Sequence, residues 1–312
     1  MDYMIDLRRL RVLRAVAHYG TVTAAAHALH MTTSAASQQV RLLSAELGIP
    51  LLEPRGRGVR LTPAAHGLLT HADDITARWE QAEIQIRGLG TEPAGLLRIA
   101  CFPVVLSRLL APMAAELTAA HPRLDVRLTE AEPGHALDLL FQGEVELAVI
   151  EASPGVPPPT DTRFDQTPLL DDVLDLVVPT GHPLAAHTEI PLARAADQTW
   201  VLPPPDTTCR AHTLSACGAA GFTPHGPHQA REWTAVAALV AHGLGIALIP
   251  RLADLPALPI VRIPLQGTPA PARKILTCTR QGSRTHPAVT AALACLTRLA
   301  DAVTTPRPRK AP

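Results

Sequence analysis

The first strong pattern along the chain is a pair of short helices separated by a polar turn. Small residues in TVTAAAHAL, positions 21–29, predict a helix that another helix can approach closely, capped by Thr21 or Thr23. A polar turn follows at 30–33, and Thr32, Thr33 or Ser34 can cap the helix after it. Apolar residues then recur every three or four positions over 34–47 and predict a second helix, which Gly48 ends. Its core-facing positions should be Ala36, Val40, Leu43 and Leu47.

The opposite face of the second helix is polar, and a basic hairpin follows it. Gln38 is the best candidate for reading adenine, since amides pair with that base in the major groove. Glycines in PRGRGVR, positions 54–60, predict a tight hairpin whose arginines can neutralise DNA phosphates. A solvated loop is the alternative, but the position directly after a helix-turn-helix favours a wing on DNA. The predicted DNA-binding residues are Thr32, Thr33, Ser34, Ser37, Gln38, Arg41, Arg55, Arg57 and Arg60.

Charge is divided unevenly between the two ends of the chain. Residues 1–65 hold eight Arg against four Asp or Glu, a net charge of +4, whereas the whole chain balances 28 basic against 28 acidic residues. The remainder therefore carries −4. A basic head on an acidic body is typical of a DNA-binding domain joined to a domain with another task.

These motifs resemble the N-terminal domain of LysR-type transcriptional regulators. AAAHAL, MTTSAAS, LGIPLL and RGVRLTPAA stand where that family has its alanine-containing helix, Ser/Thr-rich turn, L-G-x-x-L-F core and R-x-x-L-T-x-A-G exit. Pro54 puts one phosphate contact of the wing at risk, and Arg55 can partly replace it. The departures from the family pattern are Ser44, Leu52, Pro54 and Ala65, in place of Glu, Phe, Arg and Gly.

Length and composition favour a globular chain of two or three folded units, since 47% of the 312 residues are hydrophobic. No apolar run reaches the length of a membrane span, and the acidic start MDYMIDLRRL is no signal peptide, so we expect a cytoplasmic protein without a membrane partner. Five scattered cysteines argue against a disulfide framework. The Pro- and Arg-rich segment 304–312 is predicted to be disordered.

A long helix is predicted to link the head to the rest of the chain over 63–90. Thr62 offers a hydroxyl cap and Pro63 suits the first helical position. Apolar residues at alternating steps of four and three form a heptad seam, which favours pairing with a second copy over packing on its own chain. In the resembled family this helix makes the dimer. The seam residues are Leu68, Ala72, Ile75, Trp79, Ala82 and Ile86.

From residue 95 onward, strand-like apolar runs alternate with helical ones. LLRIACF, LDVRLTEA and VELAVIEA predict strands, with helices at 106–120 and 135–142 between them. This alternation predicts a parallel sheet with helices on its faces. After the Pro-rich loop at 153–160, strands are predicted at 175–179, 199–202 and 274–279, and helices at 209–219, 232–242 and 287–302.

In outline this part resembles the effector domain of the same family, a two-lobed fold like that of periplasmic solute-binding proteins. The motifs that carry the resemblance are LDVRLTEAEPGHALDLL, GHPLA and LVAHGLGIALIP in that order, with Glu146 in place of a usual Asp. The implied fold is α/β, with a winged helix-turn-helix at 1–62, a long linker helix at 63–90, and an effector domain at 91–303. Lobe one would hold 92–163 and 268–303, and lobe two 164–267.

In such a fold the ligand lies between the lobes, beyond the carboxyl ends of the strands. Phe102, Val104 and Trp233 suggest a partly apolar or aromatic effector, although such residues can equally be core. Val104 stands near a position where family members often carry a hydroxyl, and Glu130 or Glu151 would follow later strands. The predicted effector-binding residues are Phe102, Pro103, Val104, Glu151, Pro203, Thr207, Thr208, Trp233 and Thr234.

Other kinds of site find less support. His225 and His228 share a Pro/Gly-rich loop without Cys or carboxylate at ligand spacing, so solvated histidines are favoured over a metal site. Cys209 and Cys217 bracket the start of a predicted helix, where peroxide-sensing family members use two cysteines. A thiol at a helix N-terminus has a lowered pKa, which makes a redox-sensing regulator the alternative function, although Cys217 can equally be a buried hydrophobe.

The motifs of the common enzyme classes are absent from the sequence: no G-x-S-x-G, Gly-rich phosphate loop or paired-carboxylate motif occurs, and we predict no catalytic residue and no cofactor. The resemblance implies a homodimer or homotetramer on double-stranded promoter DNA. An unknown small-molecule effector would shift the lobes by its differential affinity for two arrangements, and this would change the angle of the heads and the contact with RNA polymerase.

Overall fold

The structure is a computed structural model that describes residues 6–55, 58–69, 71–72, 75, 92–153, 156–161, 163–267 and 269–304. The first part is a head of three helices and a two-stranded antiparallel hairpin. Its elements are α1 (Leu7–Tyr19), α2 (Val22–Ala28), α3 (Thr33–Leu47), β1 (Leu52–Arg55) and β2 (Gly58–Leu61).

Short polar side chains set the helix boundaries of the head. Thr21 accepts a hydrogen bond from the amide of Ala24, and Thr32 accepts one from the amide of Ala35, so both hydroxyls cap a free N–H of a first turn. Gly48 ends α3 in the left-handed conformation with φ of 67°. The caps and the predicted inner face of α3 are confirmed, with Leu47 only partly buried.

The start of the linker helix packs on the head. Thr62 accepts a hydrogen bond from the amide of Ala65 at 3.2 Å, which confirms the predicted cap. Leu68 packs against the head core and Ala72 is buried in it, so these two residues have a contact other than the predicted dimer seam. Ile75 is 48% exposed. Trp79, Ala82, Ile86 and the tail at 305–312 lie outside the described residues, and the seam and its dimer stay a prediction.

The second part of the chain alternates strands and helices, as its hydrophobic pattern predicts. One lobe is built from β3 (Gly95–Cys101), α4 (Pro103–Ala120), β4 (Leu124–Glu130), α5 (Pro133–Gln142), β5 (Leu147–Glu151), β11 (Ala272–Arg280) and α8 (Pro287–Thr304). The other contains β7 (Thr199–Leu202), α6 (Thr208–Ala219), β8 (His225–Gln229), α7 (Trp233–Ala241), β9 (Ala247–Pro250) and β10 (Ile260–Pro264). The long strand β6 (Phe164–Pro179) belongs to both.

The main sheet is mixed, whereas the sequence predicted a parallel one. β3 lies parallel to β4 and β5, but β11 runs antiparallel to both β5 and β6. The part of β6 up to Val173 pairs with β11, and the part from Leu174 pairs with β9 and β10. The chain therefore passes from lobe one to lobe two within β6, and not at the expected 163/164 boundary. It leaves lobe one along β6 and returns to it along the neighbouring strand β11.

Two helices begin earlier than predicted, because a proline occupies their first position. α4 starts at Pro103 and includes a π-helical turn over Leu106–Leu110, and α5 starts at Pro133. The fixed φ of proline suits that position, where its missing N–H costs nothing. A third difference is β8, which pairs in parallel with β7 where the sequence predicted a loop around His225 and His228.

α4 corrects the expectation that no segment is long enough to cross a membrane. By length and composition, Pro103–Ala120 would suffice. Its inner face, however, packs into the core of lobe one through Leu109, Leu110, Met113 and Leu117. The core helix of a globular domain passes the same test of length, so the finding is weak evidence for a membrane span.

Candidate functional site

The first candidate surface is the polar face of α3, which the capping of the helix positions. Ser34, Gln38 and Arg41 are exposed on it, while Ala36 and Val40 face the head core. The Thr32 hydroxyl caps the helix, and its oxygen lies 3.1 Å from the hydroxyl oxygen of Ser34. The guanidinium of Arg41 donates to the carbonyl of Ser37. Thr33 is exposed and Ser37 is half-buried. A helix that presents such side chains from its N-terminal turns can enter a major groove.

The hairpin after α3 forms as predicted, and Glu53 pairs with Arg60 across it. The guanidinium Nε of Arg60 lies 2.5 Å from Glu53 Oε1, and the Arg60 side chain is 59% exposed. Arg60 is therefore available at the surface with part of its charge balanced. The side chain of Arg55 and the whole of Arg57 lie outside the described residues.

The second candidate site is a cavity of about 660 Å³ between the two lobes. All nine of the predicted effector-binding residues line it. They come from the start of α4, the end of β5, the loop before α6 with the first residue of that helix, and the start of α7. The first three of these segments lie at the carboxyl ends of β3, β5 and β7. Glu130 does not line the cavity, whereas Glu151 does. The lining residues are Phe102, Pro103, Val104, Glu151, Pro203, Thr207, Thr208, Trp233 and Thr234.

Twelve further residues line the same cavity without having been predicted. The sequence could have predicted that the N-terminus of α5 lines the cavity, because it follows β4 as Pro103 follows β3. The carboxyl ends of these two parallel strands lie at the same edge of the sheet. Arg273 carried no such signal, since its position depends on the long-range pairing of β11. The twelve are Ser107, Glu132, Pro133, Gly134, Ser153, Val156, Asp206, Cys209, Arg231, Glu232, Asp254 and Arg273.

A buried ion network forms the floor of the cavity. Arg273 is 2% exposed and donates to Asp172 Oδ2 at 2.8 and 2.9 Å and to Glu151 Oε2 at 3.2 Å. The other oxygen of Glu151 lies 2.7 Å from Nε2 of His212. His212 belongs to α6 of lobe two and Glu151 to β5 of lobe one. The network therefore joins the lobes directly under the cavity.

Arg273 also shapes the apolar wall, since its guanidinium carbon lies 5.0 Å from the ring centre of Phe102. At the rim, Arg231 pairs with Asp206 at 2.8 Å, and Arg108 lies 3.6 Å from Asp254. The rim pairs are exposed and contribute little stability, whereas the buried network is sensitive to the loss of one partner.

The charge state of Glu151 depends on its partners. Burial raises the pKa of this carboxyl, but the hydrogen bond from His212 and the charge of Arg273 outweigh burial and leave it below its ordinary value. Because the pKa of Glu151 is lowered in the folded state, its ionised form stabilises the fold at pH values above the unfolded-state pKa of about 4.3. This contribution is lost as the pH falls through the folded-state pKa.

Glu151→Gln should therefore destabilise the protein most at neutral pH, by roughly 1–3 kcal/mol, because an uncharged amide pairs poorly with Arg273. Urea denaturation at pH 7 and in steps below pH 4 would measure the difference, which should shrink towards the acid end. Asp254→Asn, an exposed carboxyl at the same cavity, is the control and should change stability little. An equal loss from Glu151→Gln at every pH would contradict this account.

The cysteines do not have the properties of a reactive pair. Burial and the nearby charge of Glu151 raise the pKa of Cys209 to about 11, and burial raises the pKa of Cys217 to about 12. The expected lowering at the helix N-terminus is therefore wrong for Cys209. Cys217 is buried in the core of lobe two beside Trp200. Since the thiolate is the reactive form, the raised pKa values disfavour that form of both cysteines at neutral pH.

A variant with Cys209→Ser and Cys217→Ser should show the same DNA binding as the parent protein, with and without peroxide. Footprinting of both proteins after peroxide treatment would measure this. A response to peroxide that is present in the parent and lost in the variant would instead establish the redox alternative.

Within the described residues, no three His, Cys, Asp or Glu side chains are grouped to hold a metal ion. His225 is exposed and His228 is half-buried, both on β8.

Comparison with known proteins identifies both parts of the chain. Residues 7–66 match the family described as bacterial regulatory helix-turn-helix protein, lysR family, and residues 90–301 match the LysR substrate binding domain. The RuBisCO operon transcriptional regulator of Allochromatium vinosum is 31% identical over 247 residues, which cover 78% of this chain and 79% of that protein. The hydrogen peroxide-inducible genes activator of Haemophilus influenzae is 28% identical, with 80% and 82% covered.

A solved structure shows the same fold. A full-length OxyR variant from Pseudomonas aeruginosa, with one cysteine replaced by aspartate, aligns with a TM-score of 0.65 at 20% identity, over 98% of this chain and all of that one. Because the two family matches together span nearly the whole chain and carry the DNA-binding and effector-binding parts in order, the protein belongs to the LysR family of transcriptional regulators.

Proposed function

We propose that this regulator binds promoter DNA through α3 and the hairpin and responds to a small molecule held between its lobes. The observation that carries the proposal is the cavity between the lobes, whose volume of about 660 Å³ falls in the usual range of ligand sites. Both lobes contribute to its wall. A ligand in it would bind one arrangement of the lobes better than another, and only such a difference can shift the protein between states.

The wall suggests the chemistry of the effector. Phe102, Val104 and Trp233 offer apolar and aromatic surface, while Thr234 offers a hydroxyl. The hydroxyl of Ser107 donates to the carbonyl of Val104 at 3.1 Å. The hydroxyl of Thr207 is already engaged, because it bonds the carbonyl of Pro204 and caps α6. We therefore propose a compact effector with an apolar or aromatic body and a few hydrogen-bonding groups.

The remaining elements of the proposal concern assembly and partners. Two heads in a dimer or tetramer would match two half-sites, because a helix-turn-helix dimer reads sites about one helical turn apart. A shift of the lobes would change the angle between heads and, through the DNA, the contact with RNA polymerase. A protein with these partners acts where the promoter DNA is, which is consistent with the expected cytoplasmic location.

Footprinting of the full chain on the DNA upstream of its own gene, at two salt concentrations, tests DNA recognition first. Protection of a dyad that survives the higher salt would support sequence-specific binding. Even coverage that vanishes with salt would contradict it, since phosphate contacts alone are lost with counterion competition.

Effector binding is tested by a thermal-shift screen of small aromatic and aliphatic compounds against the parent protein, Trp233→Ala and Leu214→Ala. Trp233 lines the cavity, whereas Leu214 is 38% exposed on α6 outside it. A hit should be weakened in Trp233→Ala and unchanged in Leu214→Ala. A hit that both variants bind as well as the parent would place the ligand elsewhere.

Base reading and phosphate anchoring should separate in two head variants. Gln38→Ala should relax the preference at one base pair, a loss of about 1–3 kcal/mol of discrimination. Arg60→Ala should weaken binding across sequences and flatten the salt dependence by up to about one ion, less if Glu53 already balances the charge. Fluorescence anisotropy on operator duplexes with single base changes would measure both. Identical behaviour of the two variants would contradict this division of roles.

A further inference from the structure

The head and lobe one touch each other at the C-terminal end of α5. Arg11 Nη2 lies 3.2 Å from Glu144 Oε1, and the Tyr19 hydroxyl accepts a hydrogen bond from Gln142 Nε2 at 2.9 Å. Arg11 and Tyr19 belong to α1. The first helix of the head therefore rests on the end of one effector-domain helix.

The Tyr19 hydroxyl lies in a polar environment supplied by α5. Partial burial raises the pKa of Tyr19, and the charge of Asp138 raises it further, while Gln142 acts in the opposite direction. The phenol therefore stays protonated and can donate to Asp138 while it accepts from Gln142. Two residues one helical turn apart on α5 thus hold one side chain of the head.

An aromatic side chain extends this contact into lobe one. The guanidinium of Arg14 lies 5.9 Å from the ring centre of Phe141, and Arg163 lies 5.7 Å from it. Phe141 is 6% exposed and packs against Phe164 with ring centres 6.4 Å apart. The head therefore contacts a ring that is itself fixed in the hydrophobic core of the lobe.

The opposite end of α5 lies in the wall of the effector cavity. Its first residues, Pro133 and Gly134, and its N-cap Glu132 line the cavity. The helix has ten residues, about 15 Å in length, and is seated on the sheet by Ala136, Leu137 and Leu140. A short helix packed along one side moves as a unit, because its core contacts have few alternative arrangements.

We propose that α5 couples the cavity to the head, so that a group in the cavity displaces the docking of α1 on Asp138, Phe141, Gln142 and Glu144. This inference rests on the proposed function for the identity of the natural occupant, but the coupling can be tested without it. Gly134 provides the means, because a Cβ at this position would meet no atom within 4 Å. Gly134→Leu should place a side chain in the cavity as a surrogate ligand.

Hydrogen exchange of the full chain, followed by mass spectrometry at residues 7–19, measures the docking. Gln142→Ala combined with Glu144→Ala removes two of the polar contacts, those to Tyr19 and Arg11, and should speed exchange of α1 by roughly three- to tenfold. Arg11→Glu and Glu144→Arg should each have part of this effect, and their combination should reverse it. Unchanged exchange in all of these variants would overturn the proposal, because the contact would then be absent in solution.

The coupling is measured in the same experiment with Gly134→Leu. Exchange of α1 should change in this variant and should not change further when the contact residues are also replaced. Gly218→Leu is the matched control, since this glycine of α6 also faces open space but does not line the cavity. The coupling would be overturned if the contact is intact but exchange of α1 does not change in Gly134→Leu, or changes equally in Gly218→Leu. Such a result would not decide effector binding or DNA recognition, which have their own tests.

Discussion

Arg273→Met should lower the free energy of unfolding by about 3–5 kcal/mol at neutral pH. The substitution keeps most of the side-chain volume but leaves Glu151 and Asp172 buried without their cation. Arg273 also covers the ring of Phe102 in the cavity wall, so the variant should lose effector responses as well as stability. Urea denaturation measures the first effect, and the thermal-shift screen measures the second.

The pH dependence separates this mechanism from simple loss of packing. Burial already raises the pKa of Asp172, even beside the guanidinium. Without Arg273 both carboxyls should hold protons to higher pH, and a raised pKa gives stability that is present at low pH and lost as the pH rises. The deficit of Arg273→Met should therefore shrink in acid.

The neighbouring residue is the matched control. Lys274 lies next to Arg273 on β11 and pairs with Asp171 at 3.4 Å, but both side chains are more than half exposed. Lys274→Met should cost at most about 1 kcal/mol, as exposed pairs do. If the two variants lost similar amounts of unfolding free energy at every pH, burial would not determine how much the Arg273 network contributes to stability.

The head was predictable because its structure is determined locally. The hydroxyl caps at Thr21 and Thr32 and the glycine stop at Gly48 are read within a few residues of sequence, and the structure has all three. The linker is the exception. Ala72 fits a heptad seam by spacing, yet it is buried in the head core, because spacing alone does not show which surface covers an apolar residue.

The cavity was predictable from topology, and its floor was not. A two-lobed α/β fold places its ligand at the carboxyl ends of strands. This rule was enough to predict that Phe102, Thr208 and Trp233 line the cavity, although no distance between them was known. Arg273 and Asp172 meet only because β11 and β6 pair as antiparallel neighbours, although the two residues are about a hundred positions apart. The alternation of strands and helices predicted parallel strands and contains no information about such returns.

The sequence did not predict β8 either, and its single glycine explains why the strand can form. The sequence HGPHQ is rich in turn-forming residues and lacks apolar alternation. It pairs with β7 because Gly226 has no side chain where the backbone of Trp200 passes. A close approach of two backbones is a tertiary requirement, and only glycine meets it.

Gly226→Ala should therefore destabilise lobe two by about 3 kcal/mol or more. The new Cβ would overlap the carbonyl of Trp200 and lie 2.9 Å from its nitrogen, and a backbone cannot rotate away as a side chain can. Trp200 is fully buried and donates to the carbonyl of Ala195, so the strain would spread through the core of the lobe.

Thermal denaturation should show the loss, and hydrogen exchange should place it in residues 199–202 and 225–229. Gly218→Ala provides the comparison, because its Cβ meets open space on a helix and alanine should gain roughly 0.5–1 kcal/mol there. If Gly226→Ala were as stable as the parent, β7 and β8 would not pair in this register. The loop before α6, which follows β7 directly and supplies Pro203 and Thr207 to the cavity, would then need a different support.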